Sequence, residues 1–304
     1  MPPILLQNKM LEREFDFFGF AFRVVAPSAV PLSLLGRLYA CRPAKTAGVV
    51  PRFTLETVGA NCWHLRAAEG AAWEFDSMRG ALQELEYQVC QRVIDAASAM
   101  IVLHGATVCG GDEAVFIAGK SDAGKTTLAL ALAAQGHAVL SDDIALLDPA
   151  SGMVRPVPRC FHLDERSRRL LRRAGLRLPA PARRHGFVTP ADVNPGRQCS
   201  TRVRHLVSLE SNRGPAPLFT RLPQAAMVAR LSEEAGWGEM GTSLTLAALA
   251  RFAGGAQCWK LRSGRLQPTA AALAEHLSCD ESGAPDGNQA PVALGSSEVA
   301  RRNR

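Results

Sequence analysis

Gly119-Lys120-Ser121-Asp122-Ala123-Gly124-Lys125-Thr126 is the stretch on which the reading of this chain turns. It is a complete G-x-x-x-x-G-K-[ST] pattern. The apolar run Ala114-Val115-Phe116-Ile117-Ala118 precedes it, and Thr127-Leu128-Ala129-Leu130-Ala131-Leu132-Ala133-Ala134 follows. The first run predicts a buried strand and the second a helix, which is the context the pattern requires. Backbone N–H groups between Gly119 and Thr126 would form an anion nest at a helix N-terminus, where the helix dipole favours negative charge. The expected nucleotide-binding set is therefore Gly119, Lys120, Ser121, Asp122, Ala123, Gly124, Lys125, Thr126 and Thr127. Lys125 would bridge the β- and γ-phosphates, and the Thr126 hydroxyl would ligate Mg2+.

Working outward, Gln135-Gly136 predicts the end of the loop helix. His137-Ala138-Val139-Leu140 then reads as a buried strand running into Ser141-Asp142-Asp143, and Ile144 to Leu147 as another. In an open parallel sheet, the C-terminal end of that strand would face the crevice that holds the phosphate loop. Two adjacent acids there suit two tasks: Asp142 and Asp143 could hold a metal or its waters, and accept a proton from an attacking hydroxyl. Upstream, the apolar Met100-Ile101-Val102-Leu103 leads to His104-Gly105. Alone, such a histidine is more often a satisfied core or turn residue, while Gly105 would permit a sharp turn that exposes the ring.

At these residues the chain resembles the HPr kinase/phosphorylase family, bacterial P-loop protein serine kinases related in fold to phosphoenolpyruvate carboxykinase. The resemblance rests on Leu103-His104-Gly105, Gly119 to Thr126, and Gly136-His137-Ala138-Val139-Leu140-Ser141-Asp142-Asp143, in order and spacing. It covers residues 100–150 well and the rest thinly. It implies an α/β fold: a P-loop kinase core of the HPr kinase/phosphoenolpyruvate carboxykinase type, with a smaller α+β N-terminal layer. It also implies ATP and Mg2+ as cofactors, with His104 and Lys125 in the active site and Asp143 as general base. Thr126 and Asp142 would then sit at the metal. Three departures stand beside the match. Thr127 replaces an acidic residue, Asp122 replaces a loop glycine, and the later Glu-x-Arg-Gly-type element has no counterpart, so the family's reverse phosphorylase reaction is not carried over.

The chain has 304 residues, 47% hydrophobic and 21% charged, and predicts a soluble protein with room for two domains. We divide it into an N-terminal α+β accessory domain (1–97), a catalytic domain (98–277) and a disordered polar tail (278–304). Phe18, Phe20, Phe22 and Val24 alternate with Gly19, Ala21, Arg23 and Val25, predicting one strand, and Cys62 to Leu65 a second. Leu82, Leu85, Val89, Val93 and Ile94 share one face of a helix from about Ser77, with Ser77 or Asp76 as N-cap. Strands are also expected at 203–209 and 257–261, and helices at 244–252 and 269–277.

Met1 to Asn8 carry no secretory signal, and no apolar run reaches the ~20 residues of a membrane span. Cytoplasmic location is the expectation, with no membrane partner. The eight cysteines lack C-x-x-C spacing and read as core hydrophobes rather than a zinc framework. Of 35 basic residues only Lys9, Lys45, Lys120, Lys125 and Lys260 are lysines, and two of these lie in the loop. A compact ammonium is what must reach between phosphates. Arg166, Arg168, Arg169, Arg172, Arg173, Arg177, Arg183 and Arg184 predict a solvated helix face or a docking surface. Without interleaved aromatics or a recognition motif, they do not predict nucleic-acid binding.

The leading expectation is an ATP- and Mg2+-dependent kinase acting on a hydroxyl of a protein or peptide, in a possible homo-oligomer. A small-molecule kinase with an arginine lid, and a nucleotide-binding regulatory module with little turnover, are the alternatives.

Overall fold

The computed structural model describes residues 10–38, 41–44, 48–58, 62–110, 113–175, 187–189, 192, 200–211, 214–236 and 241–278. Lys9, Lys45, Gly111, Asp112, Arg177, Leu178, Arg183, Arg184, Cys199, Cys279 and the polar tail from 279 onward lie outside the described residues.

The N-terminal layer is a six-stranded sheet of β1 (Leu11–Phe17), β2 (Phe20–Ala26), β3 (Arg42–Pro43), β4 (Arg52–Val58), β5 (Cys62–Ala67) and β6 (Ala72–Phe75). Their order is β3-β1-β2-β4-β5-β6, and only the β2–β4 contact is parallel. Helix α1 (Ala29–Leu38) makes that crossover, and α2 (Met78–Ala96) follows the sheet. Period-2 alternation puts Phe15, Phe17, Phe22, Val24, Phe53, Leu55 and Leu65 into one core, against Leu82, Leu85 and Val89 of α2. The Ser77 hydroxyl accepts from the Gly80 N–H at 3.2 Å and caps α2, which typically contributes ~1 kcal/mol.

The strand expected over Phe18 to Val25 is β2, but it begins at Phe20, and Phe18-Gly19 is the turn of a hairpin with β1. Phe18 (φ 56°) and Gly19 (φ 88°) both take left-handed backbone, as a two-residue turn requires, and Phe17 pairs with Phe20. Phenylalanine seldom adopts that conformation, so the alternation through Phe18 masked the turn.

The second sheet is built from β7 (Ile101–Gly110), β8 (Glu113–Ala118), β9 (Ala138–Ser141), β10 (Ile144–Leu147), β11 (Met153–Pro156), β14 (Thr201–Ser211), β15 (Leu218–Arg221), β16 (Ala235–Gly236) and β17 (Gln257–Ser263). A separate small ribbon pairs β12 (Phe161–His162) with β13 (Phe187–Val188). The helices here are α3 (Lys125–Ala133), α4 (Glu165–Arg173), α5 (Gln224–Glu234), α6 (Thr242–Gly254) and α7 (Leu266–Ser278).

β8, β14 and β17 are parallel neighbours, buried on both faces. Val115 and Ile117 meet α3 and α7 on one face; Ala114, Phe116 and Ala118 meet α5 and α6 on the other. That double burial is why β8 reads as an unbroken apolar run. Val102, Ile144, Leu146, Val157 and Cys160 join the core of the N-terminal layer, so a single core crosses the expected boundary near residue 97.

The sheet is mixed rather than open and parallel. β7 lies between β8 and β9 and is antiparallel to both, with β10 continuing along the same edge as β9. β8 and β9 therefore run in the same direction. Gly105 faces Ala118, Thr107 faces Ser141 and His104 faces Ile144. The end of β8, the end of β9 and the middle of β7 thus reach one edge together. β11 pairs with both β10 and β14, so five strands close into a ring.

Candidate active site

The loop's backbone explains its glycines. A Cβ at Gly119 would come within 2.7 Å of the Leu209 carbonyl oxygen, so only glycine lets β8 turn away so close to β14. Gly124 has φ 96° and caps α3. Asp122, in place of a loop glycine, takes φ 62°, a left-handed conformation that Asp tolerates better than most residues. The replacement therefore leaves the backbone path open.

Lys125 Nζ donates to the Gly119 carbonyl and, at 3.2 Å, to that of Lys120, which holds the ammonium over the loop. The Thr126 hydroxyl donates to Asp142 Oδ2 at 2.7 Å. Asp142 is only 7% exposed. Burial pushes its carboxyl up to about 7, against the Thr126 hydrogen bond, while the neighbouring Asp143 charge pushes the same way as burial.

Asp143 has the opposite environment, with a side chain 45% exposed. His104 Nδ1 lies 3.7 Å from its Oδ1, and Arg159 donates to its Oδ2. The His104 imidazole foremost, then the Arg159 and Lys125 charges, hold this carboxyl below the usual range despite partial burial. Adjacent in sequence, one acid is inclined to keep its proton and the other to lose it.

His104 is the one exposed position of β7 ahead of its last residue. The turn expected at Gly105 is absent, because β7 runs unbroken from Ile101 to Gly110. Gly105 is there for space: a Cβ would lie 2.4 Å from Phe116 Cζ and 2.7 Å from the Ile117 carbonyl oxygen. Its N–H donates to the Asp143 carbonyl at 2.9 Å, tying the histidine to the acid pair. Thr127 turns away from the loop and donates to Ser167 of α4 at 3.3 Å. The basic helix α4 is thereby attached to the loop helix, and Arg168, Arg169 and Arg172 pair with its own Glu165.

The sequence did not single out Arg159. Its Nε donates to Glu86 Oε1 at 3.3 Å while its other arm holds Asp143. Glu86, on α2, is 3% exposed. Its Oε2 lies 2.9 Å from His162 Nε2, and His162 Nδ1 lies 2.9 Å from Gln83 Nε2. An amide nitrogen can only donate, so the chain reads Gln83 to His162 to Glu86. The signal available was Glu86 itself, a carboxylate at i+4 from Leu82 within the apolar stripe of α2; nothing local marks Arg159.

On the other flank of the loop, a cleft of ≈ 580 Å³ is lined by residues 118–123, by residues 208–211 of β14, and by Arg230, Glu233 and Glu234 of α5. Glu210 pairs there with Arg230 at 3.2 Å and Lys260 at 3.0 Å.

No family model matches the chain, and no curated protein matches it. Among solved structures the chain is similar to the HPr(Ser) kinase/phosphatase from Coxiella burnetii at 14% identity, covering 58% of this chain and 92% of that one, with a TM-score of 0.27. A likeness at that score carries no weight for what this chain does. What stands is a mixed α/β fold with two large sheets, in which no described helix is long and apolar enough to cross a membrane.

Proposed function

We propose that this chain is an ATP- and Mg2+-dependent kinase that transfers the γ-phosphoryl group to a hydroxyl, of serine type, on a protein or peptide. One observation carries the reading: a left-handed, glycine-hinged loop under Lys125 lies beside a Thr126–Asp142 pair and a half-exposed Asp143 whose carboxyl is held below its usual range. The residues fit the cofactors. The loop N–H groups and Lys125 would hold the phosphates, Thr126 and Asp142 the metal, and the cleft beside β14 the nucleoside. Bound Mg2+ supplies charge neutralisation at the phosphate oxygens.

Asp143 orients the acceptor hydroxyl and takes its proton as the acceptor oxygen bonds to phosphorus and the bond to the ADP oxygen breaks. A carboxylate held ionised by His104 and Arg159 is a weak base. That suits a loose transition state in which the nucleophile surrenders its proton late. Lys125 follows the charge that builds between the phosphates, and buried Asp142 keeps Thr126 oriented. The N-terminal layer and α4 would supply contacts to the acceptor.

Incubation of the purified chain with Mg·ATP and candidate peptides or lysate, read by intact mass, tests this. The expected gain is about 80 Da per acceptor, with a charge change of about −2. Lys125→Ala should abolish transfer, and Asp143→Asn should slow it by roughly 10²–10⁴-fold. Transfer equal in wild type and both variants, or absent from all three, would refute the kinase reading.

A further inference from the structure

Away from the loop, a second group of side chains gathers metal-ligating atoms. β5 and β6 form one edge of the first sheet, and their register sets His64 opposite Glu74. Cys62 precedes His64 by two residues and shares its face. This is the outer face, because Leu65 and Ala67 point into the core. Glu74 Oε1 accepts from the Cys62 thiol at 3.2 Å, and Oε2 lies 3.6 Å from His64 Nε2. One donor atom from each residue falls within 4.8 Å of the other two.

Those separations decide what could sit between them. Tetrahedral zinc, with bonds of roughly 2.0–2.3 Å, sets its ligand atoms about 3.3–3.8 Å apart. The cluster therefore needs small side-chain adjustments rather than a rearranged backbone. Thiol, imidazole and carboxylate together suit a borderline-soft ion; Mg2+ and Ca2+ take oxygen ligands and would gain only Glu74 here. The other described cysteines are all buried, so Cys62 stands apart as the accessible thiol among the described residues. Glu56, which faces His64 from β4, adds negative charge on the same surface.

We propose that Cys62, His64 and Glu74 form a three-ligand site for a zinc-class divalent ion, with water completing the tetrahedron. Binding replaces the Cys62–Glu74 hydrogen bond with two metal bonds and releases the thiol proton to solvent. It clamps β6 to β5 at the edge of the sheet. The site is separate from the Mg2+ position at Thr126 and Asp142 and does not depend on the kinase reading.

Cobalt is the probe. Titration of the reduced full-length chain with Co2+ should produce thiolate-to-cobalt charge transfer and tetrahedral d–d absorption, saturating near one equivalent and bleached by Zn2+. Cys62→Ser should remove the charge-transfer band, and His64→Ala and Glu74→Gln should each weaken binding at least tenfold. Asp142→Asn should leave the spectrum as it is. Zn2+ should also raise the melting temperature of wild type but not of Cys62→Ser, whose circular dichroism reports whether it folds. No band at one equivalent, a band that survives Cys62→Ser, or a band lost in Asp142→Asn would each overturn the site.

Discussion

The two flanks of the glycine-hinged loop 119–126 are built on different principles. On the β9 side, Asp143 is tied through Arg159 to a glutamate with a 1% exposed side chain, and from there to His162 and Gln83. On the β14 side, Glu210, Arg230 and Lys260 pair while 30–40% exposed. Water screens the second group, so its pairs contribute about 0–1 kcal/mol each. In the first group Asp143 stays open, but Arg159 and Glu86 behind it have lost most of their water, and each of those two charges depends on its neighbours. The β14 flank is wet throughout, whereas the β9 flank is dry where Arg159 meets Glu86.

Breaking the dry flank should have the largest effect. Arg159→Met leaves buried Glu86 with His162 as its remaining partner and should lower stability by up to about 3–5 kcal/mol in urea unfolding. It should also move the acid limb of the pH–rate profile upward, because Arg159 is one of the groups that depress the Asp143 carboxyl. An unfolding curve and a pH profile both unchanged would mean that the buried chain is ornamental.

A smaller effect should come from Asp142, and it should depend on pH. The folded carboxyl titrates near 7, against an ordinary 3.8 for an aspartate side chain. Between those values the folded state holds a proton that the unfolded state has released, so metal-free stability should fall as pH rises from about 4 to 7. Asp142→Asn removes the titration. It should stabilise the metal-free protein by a few kcal/mol at pH 8 and little at pH 4, as thermal melts at the two values would show. Equal melting shifts at both would place the raised carboxyl elsewhere.

The smallest change belongs to the wet flank. Lys260→Ala should alter stability by under about 1 kcal/mol, and it should raise the KM for ATP severalfold with kcat nearly intact. A kcat collapse in this variant would move the chemistry to the β14 side and dissolve the contrast between the flanks.

Much of the candidate site's geometry was legible because its determinants are local. The loop's glycines, the lysine and threonine at the head of α3, and the acid pair at the end of β9 each follow from backbone conformation or from the end of an apolar run. His104 could be suspected on spacing, but the reason for Gly105 could not: it depends on Phe116, which reaches across from the next strand. The Phe18-Gly19 turn escaped because a phenylalanine occupies a left-handed position that hydrophobic alternation reads as strand.

By itself, then, the amino-acid order determined a buried strand, a glycine-hinged loop and a helix in succession, together with an acid pair at the end of the next strand. Period and backbone preference act over a few residues and need nothing else. Only the tertiary structure decided that β7 lies between β8 and β9, that Asp142 is buried while Asp143 stays open, and that Arg159 and Glu86 meet Asp143. Those outcomes depend on strand register and on how much water reaches each carboxylate. Both are properties of segments that the chain separates and the fold brings together.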